Sequence, residues 1–333
     1  MSYREVRPEV WVREDRIDQL AKVDGLILDI DGVILDVTSS FRVAISRTVQ
    51  YYFSKVMGFS GEEVLVTPEE TQFFKLAGGF NNDWDLTSGA VLFYLAKSKE
   101  LSTRSLDVLR EQGESLEDFT TDVRHQGGGM KAAKLLALGR LTAGERQEVD
   151  KEWDQARIRR IFQEFYGGID YCQRLYGFMP SLVKEKGFLN REKVLLGARI
   201  LEPFYPKVAI LTGRTGQETE VALERAGILD KIPQDQIFSD GEAEESMRKP
   251  LPGALLKLAK VMGSKVCVYA GDVLDDLLVV ENANRVRSSR SFFSCIVVSP
   301  ARRSEVSFYQ ERKTDIITLD INEALRILGE KNL

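Results

Sequence analysis

The feature that most constrains this chain is a short run, Gly25-Leu26-Ile27-Leu28-Asp29-Ile30, followed at once by Asp31-Gly32. A brief apolar run that ends in acid and is then broken by glycine reads as a strand buried on both faces of a parallel sheet. Such a strand needs neighbours, and the chain supplies them far away in sequence. From Pro203 onward strands and helices alternate. Val208–Leu211, Gln236–Ser239, Val266–Ala270, Cys295–Ser299 and Ile316–Leu319 read as strands. Gln217–Ala226, Ala254–Met262 and Val273–Ala283 read as helices, and a last helix follows Leu319. Strands separated by helices predict an α/β fold with a doubly wound parallel sheet.

Between these two parts the periodicity changes. From about Thr38 to Glu202 helical spacing dominates and strand signals nearly vanish. Thr67-Pro68-Glu69-Glu70 and Thr142-Ala143-Gly144-Glu145 have the spacing of capping boxes, the second ahead of a long amphipathic stretch to about Phe165. Glycine clusters at 78–79, 127–129 and 167–168 punctuate the helices. The charged stretch 97–126 reads as a solvated helical face or a loop, and its role is open. The domain expectation is therefore one α/β core (residues 1–37 and 203–333) interrupted by a helical insertion (residues 38–202). The hinges are expected near 36–40 and 202–206.

Composition narrows the function classes. A chain of 333 residues has room for about two domains. Its net charge of −5 offers no basic surplus to drive binding to nucleic acid or an anionic membrane. No apolar run approaches the roughly 18 residues of a membrane span, and the charged start lacks the apolar segment of a signal peptide. The three cysteines, Cys172, Cys267 and Cys295, form no CxxC and no disulfide framework, so a cytoplasmic setting is expected. The one histidine, His125, excludes enzymes built on histidine clusters. Acid–base chemistry here must rest on carboxylates, lysine or tyrosine.

In a doubly wound sheet, ligands bind beyond the carboxyl ends of the strands. After the first strand come Asp29, Asp31 and Gly32. After the second core strand comes Thr212-Gly213-Arg214. Lys249-Pro250 precedes a helix, and Gly271-Asp272-Val273-Leu274-Asp275-Asp276 follows the strand at 266–270. Four carboxylates, a hydroxyl and an ammonium are thus expected on one edge. Crowded carboxylates repel unless a cation neutralises them, and hard oxygen ligands favour Mg²⁺.

These motifs, in this order, resemble the haloacid dehalogenase superfamily, in particular its phosphatases with a helical cap inserted after the first motif. The resemblance covers the α/β core well, and the cap only in position and helical character. It implies Asp29 as nucleophile and Asp31 as the acid and base that serves the leaving oxygen and then water. It implies Mg²⁺ held by the Asp29 and Asp272 side chains and the Asp31 carbonyl, with Asp276 orienting a metal-bound water or the lysine. Thr212, the Gly213 amide and Lys249 would hold the phosphoryl oxygens.

The insertion is read two ways. The stretch from Phe80 to Asp85 is either a helix C-cap followed by an Asn N-cap with Trp84 packed in a core, or a polar-aromatic loop that selects the leaving group. Asn81, Asn82 and Trp84 are candidates for substrate contact on the second reading. Arg42 and Lys75 are either solvated helical residues or phosphate-facing ones. Function is expected to be Mg²⁺-dependent hydrolysis of a small phosphorylated metabolite through an aspartyl-phosphate. A phosphosugar mutase and a non-catalytic metabolite-binding module of the same fold are the alternatives. Sugar, polyol and amino-alcohol phosphates such as histidinol phosphate all remain open as substrates. No heptad or exposed apolar stripe specifies an oligomer.

Overall fold

A computed structural model describes residues 2–80, 82–239 and 243–330. The chain divides into two compact units, Met1–Asp36 with Lys193–Leu333, and Val37–Glu192. The second crossing falls ten residues earlier than the expected boundary at 202/203. The reason is a short antiparallel pair, β4 (Leu35–Asp36) with β5 (Lys193–Val194), which ties both ends of the insertion to the first unit.

The first unit is an eight-stranded sheet. Its strands are β1 (Tyr3–Arg7), β2 (Val10–Arg13), β3 (Gly25–Leu28), β6 (Val208–Thr212), β7 (Ile237–Ser239), β8 (Val266–Gly271), β9 (Ser291–Val297) and β10 (Ile316–Thr318). They lie in the order β1-β2-β10-β9-β8-β3-β6-β7. From β10 to β7 every pairing is parallel, as the alternation of strand and helix requires. The N-terminal hairpin adds two strands to this doubly wound parallel sheet, with β2 pairing antiparallel with both β1 and β10. The β1 sequence, Tyr-Arg-Glu-Val-Arg, is a half-exposed edge strand with no apolar run, so apolar patterning does not reveal it.

All four residues of β3 are buried, and its two neighbours are also apolar. Side chains alternate between faces along each strand. Ile27, Ala209, Leu211, Cys267 and Tyr269 turn toward the helices Gly253–Val261 and Leu274–Arg285, forming one core. Ile296, Val298, Ile317 and Tyr309 form a second core with Leu274 and Leu277. The sheet therefore has rigid, dry strands whose carboxyl ends are fixed.

The second unit is helical: Phe41–Tyr51, Thr71–Ala77, Asp83–Glu100, Leu106–Glu111, Leu116–His125, Gly129–Gly139, Ala143–Glu152 and Gln155–Tyr176. Both capping boxes form. Thr67 N–H donates to Glu70 while Glu70 N–H donates to Thr67, and Thr142 and Glu145 exchange the same pair. The long stretch from Thr142 breaks at Trp153–Asp154, where Asp154 caps a new helix by accepting from Arg157 N–H. The charged stretch 97–126 is not simply solvated: Ser105 and Ser115 cap two helices that bury Leu106, Leu109, Leu116, Phe119 and Val123. Among the described residues no helix is long and apolar enough to cross a membrane.

Candidate active site

The turn after β3 places two acids. Asp29 N–H donates to Ala270 O at 2.8 Å and so extends the pairing of β3 with β8 by one residue. The chain then folds tightly: Ile34 and Leu35 N–H both return to Ile30 O, and Gly32 N–H donates to Leu35 O. Gly32 has φ +72°, and a Cβ there would sit 2.4 Å from Asp272 Cγ. Glycine is required because the turn needs left-handed backbone and because Asp272 packs directly on it.

The end of β8 supplies the facing acids. Gly271 is pressed against the Asp276 carboxylate, where a Cβ would lie 2.2 Å from Asp276 Cγ. Asp276 Oδ2 accepts from the Asp272 and Val273 amides at 3.0 and 3.1 Å, so this acid locks the turn into the helix Leu274–Arg285. Its other oxygen accepts from Lys249 Nζ at 2.8 Å and from the Tyr269 hydroxyl at 2.7 Å. Lys249 Nζ also reaches Asp29 Oδ2 at 2.9 Å and Tyr269 Oη at 3.1 Å. The Lys249 side chain is fully buried between two carboxylates.

Asp29, Asp272 and Asp276 bring one carboxylate oxygen each within 4.8 Å of one another. This is a hard, anionic donor set of the type a divalent cation takes. Asp31 Oδ1 accepts two bonds from the buried Arg214 guanidinium, at 2.9 Å from Nε and 2.7 Å from Nη2. Thr212 ends β6 fully buried, its Oγ1 accepting from Arg214 N–H at 3.4 Å, and Gly213 is half-buried beside it. The edge thus gathers Asp29, Asp31, Thr212, Gly213, Lys249, Asp272 and Asp276 from the ends of three adjacent strands and one loop.

Burial sets the electrostatics. It pushes the Asp29 carboxyl up to about 8, aided by the nearby charges of Asp276 and Asp31 and opposed by Lys249. Burial also acts on Asp276, but Lys249, the Tyr269 hydroxyl and the Val273 amide outweigh it and hold this carboxyl below the usual range. Lys249 is thus shared between the two acids, 2.9 Å from Asp29 and 2.8 Å from Asp276. Burial and the Asp276 charge push the Tyr269 phenol well up, so it stays a neutral donor.

The candidates of the helical unit have local partners. Arg42 Nη2 donates to Gln72 Oε1 at 2.6 Å. Lys75 pairs with Asp83 at 2.9 Å. Asn82 caps the helix Asp83–Glu100 by accepting from the Trp84 and Asp85 amides at 2.8 and 3.1 Å. The Arg159 guanidinium lies 3.8 Å from the Trp84 ring centre. Asn81 lies outside the described residues.

Three residues of the core edge escape sequence reasoning. Tyr269 is hidden inside an apolar strand, although a hydroxyl three residues before Asp272 is a visible anomaly. Arg214 stands in the motif after β6, yet nothing in its spacing assigns it to Asp31. Arg302 lies five residues after Val297, the last of β9, and bonds Asp272 Oδ2 at 3.1 Å. The rule that ligands gather past strand ends, applied to β9 as to β8, points to it.

A parallel sheet with helices on its faces and an acid-lined carboxyl edge defines an α/β enzyme fold with its chemistry at the strand ends. The family model described as haloacid dehalogenase-like hydrolase matches residues 23–284, and the chain belongs to that family of hydrolases. Among solved structures the fold is similar to the phosphatase Tt82 from Thermococcus thioreducens. The TM-score is 0.54 with 23% identity, covering 92% of this chain and 98% of that one. Among curated proteins it is 27% identical over 267 residues to an imidazoleglycerol-phosphate dehydratase from Phytophthora nicotianae. The match takes in 79% of this chain but only 42% of that protein's length.

Proposed function

We propose that the chain is a Mg²⁺-dependent phosphomonoester hydrolase whose nucleophile is Asp29. The observation that carries this reading is Lys249, buried and hydrogen-bonded to both Asp29 and Asp276 at 2.9 and 2.8 Å, beside a second acid held by an arginine. A cation between two acids is costly as mere scaffolding, and perturbed groups of this kind cluster at reaction sites.

Asp29 attacks phosphorus, the bond to the ester oxygen breaks, and an aspartyl-phosphate forms. Asp31 gives its proton to the departing oxygen and takes one back from the water that cleaves the acyl phosphate. Lys249, Thr212 Oγ1 and the Gly213 amide bind the equatorial oxygens, where charge grows in the transition state. The Asp29 and Asp272 carboxylates and the Asp31 carbonyl would hold Mg²⁺, which would supply charge neutralisation to the phosphoryl group. Asp276 already accepts four contacts, so its part is to hold Lys249 and the β8 turn. The free, buried cysteines suit a cytoplasmic setting.

The substrate is a small phosphorylated metabolite. The curated relative's name brings imidazole-bearing phosphate esters into view, alongside sugar, polyol and amino-alcohol phosphates. Dehydration is not carried over, because the match leaves more than half of that relative uncovered. The test is phosphate release from a metabolite panel with Mg²⁺ and with chelator. Metal-dependent release from one ester, absent in Asp29→Asn, is the expected result. Silence across the panel, or full activity in Asp29→Asn, overturns the reading.

A further inference from the structure

Asp272 is met by a cation that the mechanism above does not use. Arg302 lies in the turn Pro300–Glu305 that follows β9, and its Nη2 is 3.1 Å from Asp272 Oδ2. Its Nη1 is 3.2 Å from Glu305 Oε2, so the guanidinium is held from behind. The Tyr309 hydroxyl donates to the Asp272 carbonyl at 3.4 Å and fixes the backbone of the same acid. Both side chains are largely enclosed, 13% exposed for Arg302 and 12% for Asp272. This is a built feature of the wall rather than a surface ion pair.

An arginine cannot shed its charge, and its repulsion of a second cation is strong where water is largely excluded. Around the site, Asp29, Asp31, Asp272 and Asp276 face Lys249, Arg214 and Arg302. With Glu305 behind Arg302 that makes five acids and three cations, and each cation offsets negative charge that would otherwise attract a dication. A phosphate dianion arriving with the metal would supply what is missing.

We propose that Arg302 is a built-in counter-cation for Asp272, one that weakens binding of free Mg²⁺ and couples the ion's entry to that of a phosphate group. The inference rests on the reading of Asp29 and Asp272 as a divalent-cation site. In that role Arg302 is a positioning residue, acting on substrate through Asp272 and the metal.

The experiment is a Mg²⁺ titration of the full chain, followed by calorimetry and by thermal shift, with and without inorganic phosphate. Wild type is compared with Arg302→Met and Arg302→Lys. Without phosphate, Arg302→Met is expected to bind Mg²⁺ about tenfold more tightly than wild type, and Arg302→Lys to stay near wild type. Phosphate should tighten Mg²⁺ binding more in wild type than in Arg302→Met. In chelator, Arg302→Met should melt below wild type, and Mg²⁺ should restore it.

If both proteins bind Mg²⁺ but Arg302→Met binds it equally or less tightly, Arg302 merely orients Asp272 and this inference alone falls. If neither folded protein responds to Mg²⁺ with or without phosphate, the metal site itself falls and takes the inference with it.

Discussion

Two buried carboxylates, one in each unit, show how differently the same group is used. Glu164 in the helical unit is fully enclosed. It accepts from the Ser181 and Val183 amides at 2.7 and 3.3 Å, from Leu182 N–H, from the Ser181 hydroxyl and from Arg160. Burial alone would raise its carboxyl, but these donors outweigh it and the group falls below its usual range. Asp29 in the core is also buried, and there desolvation, aided by the charges of Asp276 and Asp31, outweighs its share of Lys249 and pushes it up to about 8. Glu164 is satisfied locally and holds a loop, whereas Asp29 is left in tension with its neighbours. A buried acid with a full set of donors is architecture, and one that competes for its donor is a candidate for chemistry.

The largest effect should come from breaking the core member of this pair. Asp29→Asn keeps the shape and removes the nucleophile, so turnover should fall by about 10⁴-fold or more. The variant should stay folded, as checked by circular dichroism beside the phosphate assay. Glu164→Gln is the matching change in the helical unit. Its amide nitrogen would face backbone N–H groups, and stability should drop by about 3 kcal/mol in denaturant melts. Once folded, the variant should turn over substrate at nearly the wild-type rate. A large loss of turnover at unchanged stability would erase the distinction between the two acids.

A pH series sharpens the contrast. The folded protein keeps a proton on Asp29 up to about 8, whereas the unfolded chain releases it near pH 4. The native state then binds more protons between these values, so stability in chelator must fall as pH rises through that window. The melting temperature should drop by about 5 °C from pH 5 to pH 8, and the slope should flatten in Asp29→Asn. Glu164 has the opposite sign: its lowered carboxyl contributes stability above the unfolded value, lost only as pH falls through the folded one.

The same contrast explains what the sequence makes legible. In the core, each reactive residue follows an apolar run, and the topology of a parallel sheet carries all such positions to one edge. Asp29, Thr212 and Asp272 are readable for that reason, and Lys249 because it stands with Pro250 just ahead of a helix. Tyr269 is not, since its hydroxyl is buried by side-chain alternation within a strand that reads as wholly apolar. Of the β1–β2 hairpin, β1 is missed because an edge strand has no need of apolar residues, whereas β2 is an inner strand whose alternation, Val10 and Val12 buried, is legible though short. In the helical unit no topological rule gathers polar residues, so the stretch from Phe80 to Asp85 supports two readings at once.

Asn82 separates those readings, and its expected effect is the smallest. Its side chain accepts from the Trp84 and Asp85 amides, two of the orphan donors at the start of the helix Asp83–Glu100. Those bonds are what an N-cap makes, and Asn82→Ala should cost about 1 kcal/mol of stability. With the side chain spent on the helix, kcat/KM of the folded variant should stay within about twofold of wild type, a difference well under 1 kcal/mol. Asn82→Asp should restore the cap, because a carboxylate accepts from the same amides and suits the positive end of the helix. If instead Asn82→Ala melts like wild type but loses about a hundredfold in kcat/KM, the side chain works on substrate. The helical unit would then hold chemistry of its own, and the line drawn between the two units would have to move.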